Sequence, residues 1–276
     1  MRCHIWSHET SHPGAMSLDQ PAEFVKHQTV TRDAFLGGRL TLSQPRNGFR
    51  AGLDSVLLGA AVPAGTGRLL DMGAGVGTAG LVALALERAT GADLAERDAA
   101  TLDLAARNIA ENGFAGRAVA LAADVEAKAV QRRAAGLADN TYDVVIANPP
   151  FFGSGQGTPA PEASRAAARH MGPEALDLWV RCAAACARAG GMAIFIYPAQ
   201  GLAALLARFE PRFGAMVVLP LSPRPGEPAS RILLRGTKGS RAPLTLLASR
   251  AMHGPTGNDF APEFDAVFRG AAALDW

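Results

Sequence analysis

The amino-acid sequence predicts an α/β fold: a doubly wound, mostly parallel sheet of seven strands with a small N-terminal hairpin-and-helix appendage. Three observations lead there. From Arg68 onward, short apolar runs alternate with longer helical stretches, which implies parallel strands covered on both faces. The first of these runs ends in the turn Gly73-Ala74-Gly75-Val76-Gly77, and such sheets bind ligands beyond the carboxyl ends of their strands. No repeat or linker divides the 276 residues, a length that one large domain accommodates.

Residues 1–20 are polar, with His4, His8 and His12 at helical spacing beside Cys3. A metal site is conceivable there, but nothing packs the segment and we read it as a disordered extension. Residues 21–63 are the appendage. Within it, Phe35 to Arg50 has alternating apolar positions broken by Gly37-Gly38 and Asn47-Gly48, the pattern of a hairpin. Leu53 to Ala61 is helical and stops at Val62-Pro63.

Residues 64–276 form the main domain. Leu69-Leu70-Asp71 is a buried strand, and Thr78 to Arg88 an apolar helix. Gly91 to Ala95 is a second strand ending at Glu96, and Ala99 to Glu111 a helix closed by Asn112-Gly113. Val119 to Ala122 is the third strand, ending at Ala123-Asp124, and Glu126 to Ala135 a helix. Tyr142 to Ala147 is the fourth, followed by helix Glu174 to Arg188, strand Met192 to Tyr197 and helix Leu202 to Phe209. Val217 to Leu221 and Arg231 to Leu234 are the last two strands, a C-terminal β-hairpin across the Pro-rich loop Ser222 to Ala229.

Composition narrows the function classes. The longest apolar runs, Val56 to Val62 and Leu81 to Leu86, fall far short of the ~20 residues a membrane span needs. The segment Met1 to Trp6 has no apolar signal core, so a cytoplasmic protein without membrane partners is expected. Cys182 and Cys186 stand one helical turn apart in an alanine-rich stretch and read as small core residues, and no metal is called for. The net charge of +2 hides an asymmetry, with Arg212, Arg224, Arg231, Arg235, Lys238 and Arg241 set against Glu227 alone between 212 and 241. A basic patch there is read as compatible with a polyanionic partner, with a solvated surface that happens to be Arg-rich as the lesser alternative.

The residues that carry chemistry fall at strand ends. The glycines after strand one let a ligand approach the backbone closely. Glu96 lies 19 residues beyond Gly77, where a carboxylate can take the hydroxyls of a ribose, and Asp124 can take an adenine amine. After strand four comes Asn148-Pro149-Pro150-Phe151. Each proline fixes its own φ and pushes the residue before it out of the helical region, so a carboxamide and two carbonyls are displayed with little freedom beside an aromatic ring. Such a device can accept hydrogen bonds from an amino group while the ring stacks on its plane; a strand that simply stops at a Pro-Pro loop would look the same.

The order of these features resembles a known family. Asp71-Met72-Gly73-Ala74-Gly75-Val76-Gly77 lacks the spacing of the dinucleotide-binding GxGxxG turn. It resembles motif I of the class I S-adenosylmethionine-dependent methyltransferases, D-x-G-x-G-x-G, with Glu96 and Asp124 at that family's next acidic positions. Asn148-Pro149-Pro150-Phe151 resembles motif IV of the members that methylate an amine on a planar substrate. Leu36 to Leu40, Gln44 to Arg50, Asp54 to Leu58, Arg165 to His170 and Pro220 to Gly226 with Ser230-Arg231 further resemble the bacterial tRNA(Val) adenine-N6 methyltransferase family.

The resemblance implies a Rossmann-like fold, S-adenosylmethionine as cofactor and transfer to the exocyclic amine of a base in structured RNA, first of all adenine-N6 in tRNA near the anticodon. Asp71, Gly73, Ala74, Gly75, Gly77, Glu96, Arg97, Asp124 and Asn148 are its cofactor-side positions. Asn148, Pro149, Pro150 and Phe151 are the catalytic ones, and Arg46, Arg50, Arg165, Arg169, Arg224 and Arg231 face the RNA. Phe151 stands where relatives often carry tyrosine and is also found in guanine-N2 methyltransferases of ribosomal RNA. That substrate, adenine in DNA and a protein glutamine side chain are the alternatives. Arg50 and Asp54 either approach the cofactor or brace the hairpin.

Overall fold

The computed structural model describes residues 30–46, 50–150 and 173–276. Strands β1 (Val30–Phe35) and β2 (Leu40–Pro45) form an antiparallel hairpin. The expected hairpin therefore lies earlier in the chain, with its first strand before Phe35. Its connection, Leu36–Gly38, is a short 3-10 turn. Helix α1 (Leu53–Ala60) follows.

The main sheet comprises β3 (Thr66–Met72), β4 (Ala89–Glu96), β5 (Ala118–Ala122), β6 (Tyr142–Ala147), β7 (Ala187–Pro198), β8 (Phe213–Ser222) and β9 (Arg231–Lys238). Their order across the sheet is β5-β4-β3-β6-β7-β9-β8. Only β9 runs antiparallel to its neighbours. Two short strands, β10 (Thr245–Leu246) and β11 (Arg250–Ala251), extend the sheet beside β8. The strand order reverses at β3, which lies between β4 and β6.

Helices α2 (Thr78–Ala85), α3 (Ala99–Glu111), α4 (Ala129–Ala134), α5 (Pro173–Cys186), α6 (Leu202–Phe209) and α7 (Pro262–Phe268) are the remaining α-helices of the described residues. Period-two alternation sorts the strands' side chains between two cores. Leu69, Val144, Ile146, Ile194 and Leu233 enter one, with α1, α2 and α7. Leu70, Val145, Ala147, Phe195 and Leu234 enter the other, with Trp179, Cys182 and Cys186 of α5 and Leu205 and Phe209 of α6. A sheet apolar on both faces needs helices on both.

Several boundaries differ from the expected ones for local reasons. Helix α2 stops three residues early, because Glu87 takes a positive φ of 56°. Asp124 accepts the Glu126 N–H, and its carbonyl accepts the Ala127 N–H, so 124–127 is a turn and α4 starts only at Ala129. Strand β7 begins at Ala187, five residues before the expected start, with a register irregularity opposite Tyr142 and Val144. Helix α7 was not expected at all; its Phe264 and Val267 are buried in the core that holds α1. Residues on both sides of Pro63 share that core, including Leu40 and Leu57 before it and Leu69 and Leu81 after it.

Candidate functional site

Sheet register aligns the strand ends. Met72 pairs with Ala95 on one side and Ala147 on the other, and Ala95 pairs with Leu121. The next residues, Gly73, Glu96, Ala122 and Asn148, therefore leave the sheet together on its carboxyl rim, at the switch in strand order.

The turn from Gly73 to Gly77 is pinned from several sides. The Ala74 N–H donates to Ala95 O (2.9 Å), and the Gly75 N–H to Glu96 Oε2 (3.0 Å). Beneath it, the buried Asp71 carboxylate accepts the Gly80 N–H at the start of α2 (2.8 Å). Burial, only partly offset by that bond and reinforced by the nearby Glu96 charge, pushes the Asp71 pKa up to about 7. Asp71 thus braces the turn and α2 from below. Gly73, Gly75 and Gly77 have φ of 63°, 57° and 89°, values that favour glycine. A Cβ on Gly73 would run into the Trp179 ring, whereas one on Gly75 would meet no heavy atom of the described residues within 4 Å. Gly75 therefore faces open space, the side from which a ligand can reach the backbone.

Glu96 spends most of its capacity on this framework. Oε1 accepts the N–H groups of Arg97 and Asp98 (2.8 and 2.9 Å), and Oε2 that of Gly75. One lone-pair direction of Oε2 remains, enough for one hydroxyl without disturbing the turn. Arg97 is exposed, and its Nη1 is 4.0 Å from both Asp124 Oδ2 and Glu126 Oε2. Trp179 lies on this side, its ring where a Gly73 side chain would go and its indole N–H donating to Glu126 Oε1 at 3.0 Å. Sequence reasoning missed Trp179; its only signal was an indole in the apolar stripe of a helix.

Asn148 is partly exposed, Pro149 buried and Pro150 exposed. Among the described residues, neither the Asn148 carboxamide nor the Pro149 carbonyl is engaged by a hydrogen bond. Phe151, Arg165 and Arg169 lie outside the described residues.

The expected basic patch is largely tied inward. Arg212 pairs with Asp177 (3.0 Å), Arg235 lies over the Trp276 ring (4.7 Å), and Lys238 donates to Asn140 Oδ1 and Ala187 O. Arg224 donates to the carbonyls of Gly254 and Gly257 (3.0 and 2.6 Å), and Arg231 to Asp54 Oδ2 (2.9 Å). Arg50 joins Asp33 (2.5 Å), Thr31 and Pro45 O, bracing the hairpin. Arg46 and Arg241 are exposed, without a side-chain partner among the described residues. These cations fasten loops and strand ends more than they display charge. Among the described residues no cluster of three or more His, Cys, Asp or Glu side chains could hold a metal, and no helix is long and apolar enough to cross a membrane.

Comparison with known proteins points one way. Residues 52–173 match the family model described as the methyltransferase small domain. The tRNA1(Val) (adenine(37)-N6)-methyltransferase of Aeromonas salmonicida is 32% identical over 191 residues, 68% of this chain and 77% of that protein. The enzyme of the same name from Escherichia coli O157:H7 is 29% identical over 229 residues, 75% and 89% of the two chains. A crystal structure from Agrobacterium tumefaciens, described as a predicted O-methyltransferase, superposes with a TM-score of 0.67 at 34% identity, covering 81% of this chain and 99% of that one.

Proposed function

The chain belongs to the class I S-adenosylmethionine-dependent methyltransferases, in the family of the tRNA1(Val) adenine-N6 enzymes, and on that premise we propose that it methylates the N6 amine of an adenine in tRNA, near the anticodon, in the cytoplasm. The observation that carries the proposal is the alignment of strand ends, with Asn148 emerging beside the glycine turn and Glu96 on one rim.

The residues fit the cofactor. Gly75 leaves open space above the turn, and Glu96 Oε2 keeps a direction for a ribose hydroxyl. Arg97, Asp124 and the backbone of Gly73, Ala74 and Gly77 would hold the rest of it. Bound there, S-adenosylmethionine supplies an electrophilic methyl on its sulfonium.

The chain's own part is positioning. An exocyclic amine conjugated with its ring is a poor nucleophile. Asn148 Oδ1 and the Pro149 carbonyl accept its two hydrogens, which turns lone-pair density toward the methyl. The surplus proton leaves to water once the nitrogen–carbon bond has formed, so no general base is needed. Phe151 stacks on the extruded base, a contact worth about 1–3 kcal/mol. A loop adenine is already unpaired, which lowers the cost of extrusion. Arg46 and the loop held by Arg224 and Arg231 meet the phosphates.

The test is transfer of a tritium-labelled methyl to total tRNA and, in a parallel reaction, to ribosomal RNA, followed by identification of the labelled nucleoside. N6-methyladenosine is expected. A ribose-methylated nucleoside would favour the oxygen acceptor suggested by the Agrobacterium relative's description, and label found only in N2-methylguanosine of ribosomal RNA would overturn the adenine assignment.

A further inference from the structure

We propose that Asn108 is a positioning residue for the cofactor turn, holding it in register with the N-terminal hairpin. Asn108 lies on the inner stripe of α3 and is fully buried. Its Oδ1 accepts the Ser43 N–H (2.7 Å), and its Nδ2 donates to Ser43 O (3.1 Å) and Val76 O (3.0 Å). Both amide hydrogens are used. Val76 stands between Gly75 and Gly77, both of which hold positive φ. Asn108 supplies a partner for a buried carbonyl in the middle of that turn, where an unpaired one would be costly.

One turn further along α3, Asn112 repeats half of this arrangement. Its Oδ1 accepts the Thr41 N–H and its Nδ2 donates to Thr41 O, both at 3.0 Å. Four residues of helix advance about 6 Å, and two residues of strand about 6.6 Å. Two carboxamides at i and i+4 therefore match the backbone of residues 41 and 43, and α3 serves β2 as a neighbouring strand would. Asn112 holds the hairpin alone; Asn108 holds the hairpin and the cofactor turn together.

The hairpin in turn reaches the acceptor side. Gln44 Oε1 accepts the Ala51 N–H, and Gln44 Nε2 donates to the Asp33 carboxylate that Arg50 also pairs with. Three residues past Ala51, Asp54 pairs with Arg231 at the start of β9. The register set by Asn108 thus connects the seat of the cofactor to the segment leading into α1.

The inference rests on the Gly73–Gly77 turn being the cofactor's seat, so the experiment includes Gly75→Ala, whose added Cβ meets none of the described residues but strains a turn position of positive φ. S-adenosylmethionine affinity is measured by calorimetry, and melting temperature alongside, for wild type, Asn108→Ala, Asn112→Ala and Gly75→Ala. Asn108→Ala should weaken binding at least tenfold and raise KM for the cofactor with little change in kcat. Asn112→Ala should bind within twofold of wild type even where its melting temperature falls as far. Affinity that tracks melting temperature in both Asn variants, or stays at the wild-type value in Asn108→Ala, overturns the inference. Wild-type affinity in Gly75→Ala overturns the assigned seat and the inference with it. If Asn108→Ala does not fold, Asn108→Ser, which keeps a donor in the cavity, is judged by the same criteria.

Discussion

The two rims of the sheet are built on opposite terms. On the carboxyl rim, three glycines hold positive φ, Asp71 is buried with its pKa raised to about 7, and Asn148 makes no side-chain bond among the described residues. The Thr78 hydroxyl there is buried without a partner among the described residues. On the amino rim, charges are matched. Asp143 accepts from the Arg68 N–H and from Arg188 Nε, which hold its pKa below the ordinary range. Asp93 accepts from Arg68 and from the Tyr142 hydroxyl, and Arg117 donates to Ala89 O and Thr90 O. Local rules are broken where a ligand must be met and kept where none is needed. A rim with every group tied off would have nothing left to offer an amine.

The largest expected effect comes from removing the Asn148 carboxamide. Asn148→Ala should lower kcat/KM for methyl transfer by roughly 10²–10³-fold, the loss typical of one preorganised hydrogen-bonding group. Melting temperature and cofactor affinity should stay near wild type, because no described residue depends on that side chain. Single-turnover transfer to tRNA, with calorimetry of the cofactor, measures both; retained transfer would remove Asn148 from the mechanism.

Next is the buried carboxylate. Below its ordinary pKa of 3.8, Asp71 is protonated in the folded and the unfolded chain alike. Between there and about 7 the unfolded chain releases the proton and the folded chain keeps it, so stability falls as pH rises through this window and levels off above it. Asp71→Asn retains an acceptor for the Gly80 N–H and has no proton to release. At pH 8 the variant should be more stable than wild type by a few kcal/mol, since each pKa unit is worth about 1.4 kcal/mol, and near pH 4 the gap should close. Urea midpoints at the two pH values test this; parallel profiles for the two proteins would mean that the raised pKa makes no contribution.

Much of the carboxyl rim was legible in the sequence. Helices α3 and α6 fall at the expected bounds, the first because Asp98 caps it by accepting the Thr101 N–H and Asn112-Gly113 closes it. Strand ends could be read because apolar runs stop at glycine, acidic or proline residues, and a parallel sheet brings those stops to one edge. What escaped depends on partners far along the chain. Arg231 and Asp54 are 177 residues apart, and Arg212 meets Asp177, so a count of local charge took internal bracing for a displayed patch. Asn108 looked like an ordinary polar residue of a helix; its one signal was its place in the stripe of Leu104, Ala105 and Ile109, all buried.

The smallest effect is expected on the matched rim. Arg188 is half-exposed and pairs with Asp143 through Nε. An exposed pair contributes about 0.2–1 kcal/mol, so Arg188→Ala should cost no more than that at pH 7, and less in 1 M salt, where the Debye length is about 3 Å. Because the folded-state pKa of Asp143 lies below 3.8, its stabilisation is present above that value and is lost as pH falls through the folded pKa. The gap between wild type and Arg188→Ala should therefore close in acid, the reverse of the Asp71→Asn trend. Methyl transfer should be untouched, since Arg188 sits at the start of β7, at the end of the sheet away from Asn148. Chemical denaturation at pH 7 and pH 3, with a transfer assay at pH 7, decides it. A gap that widens in acid, or a loss of transfer, would mean that the two ends of the sheet are not independent.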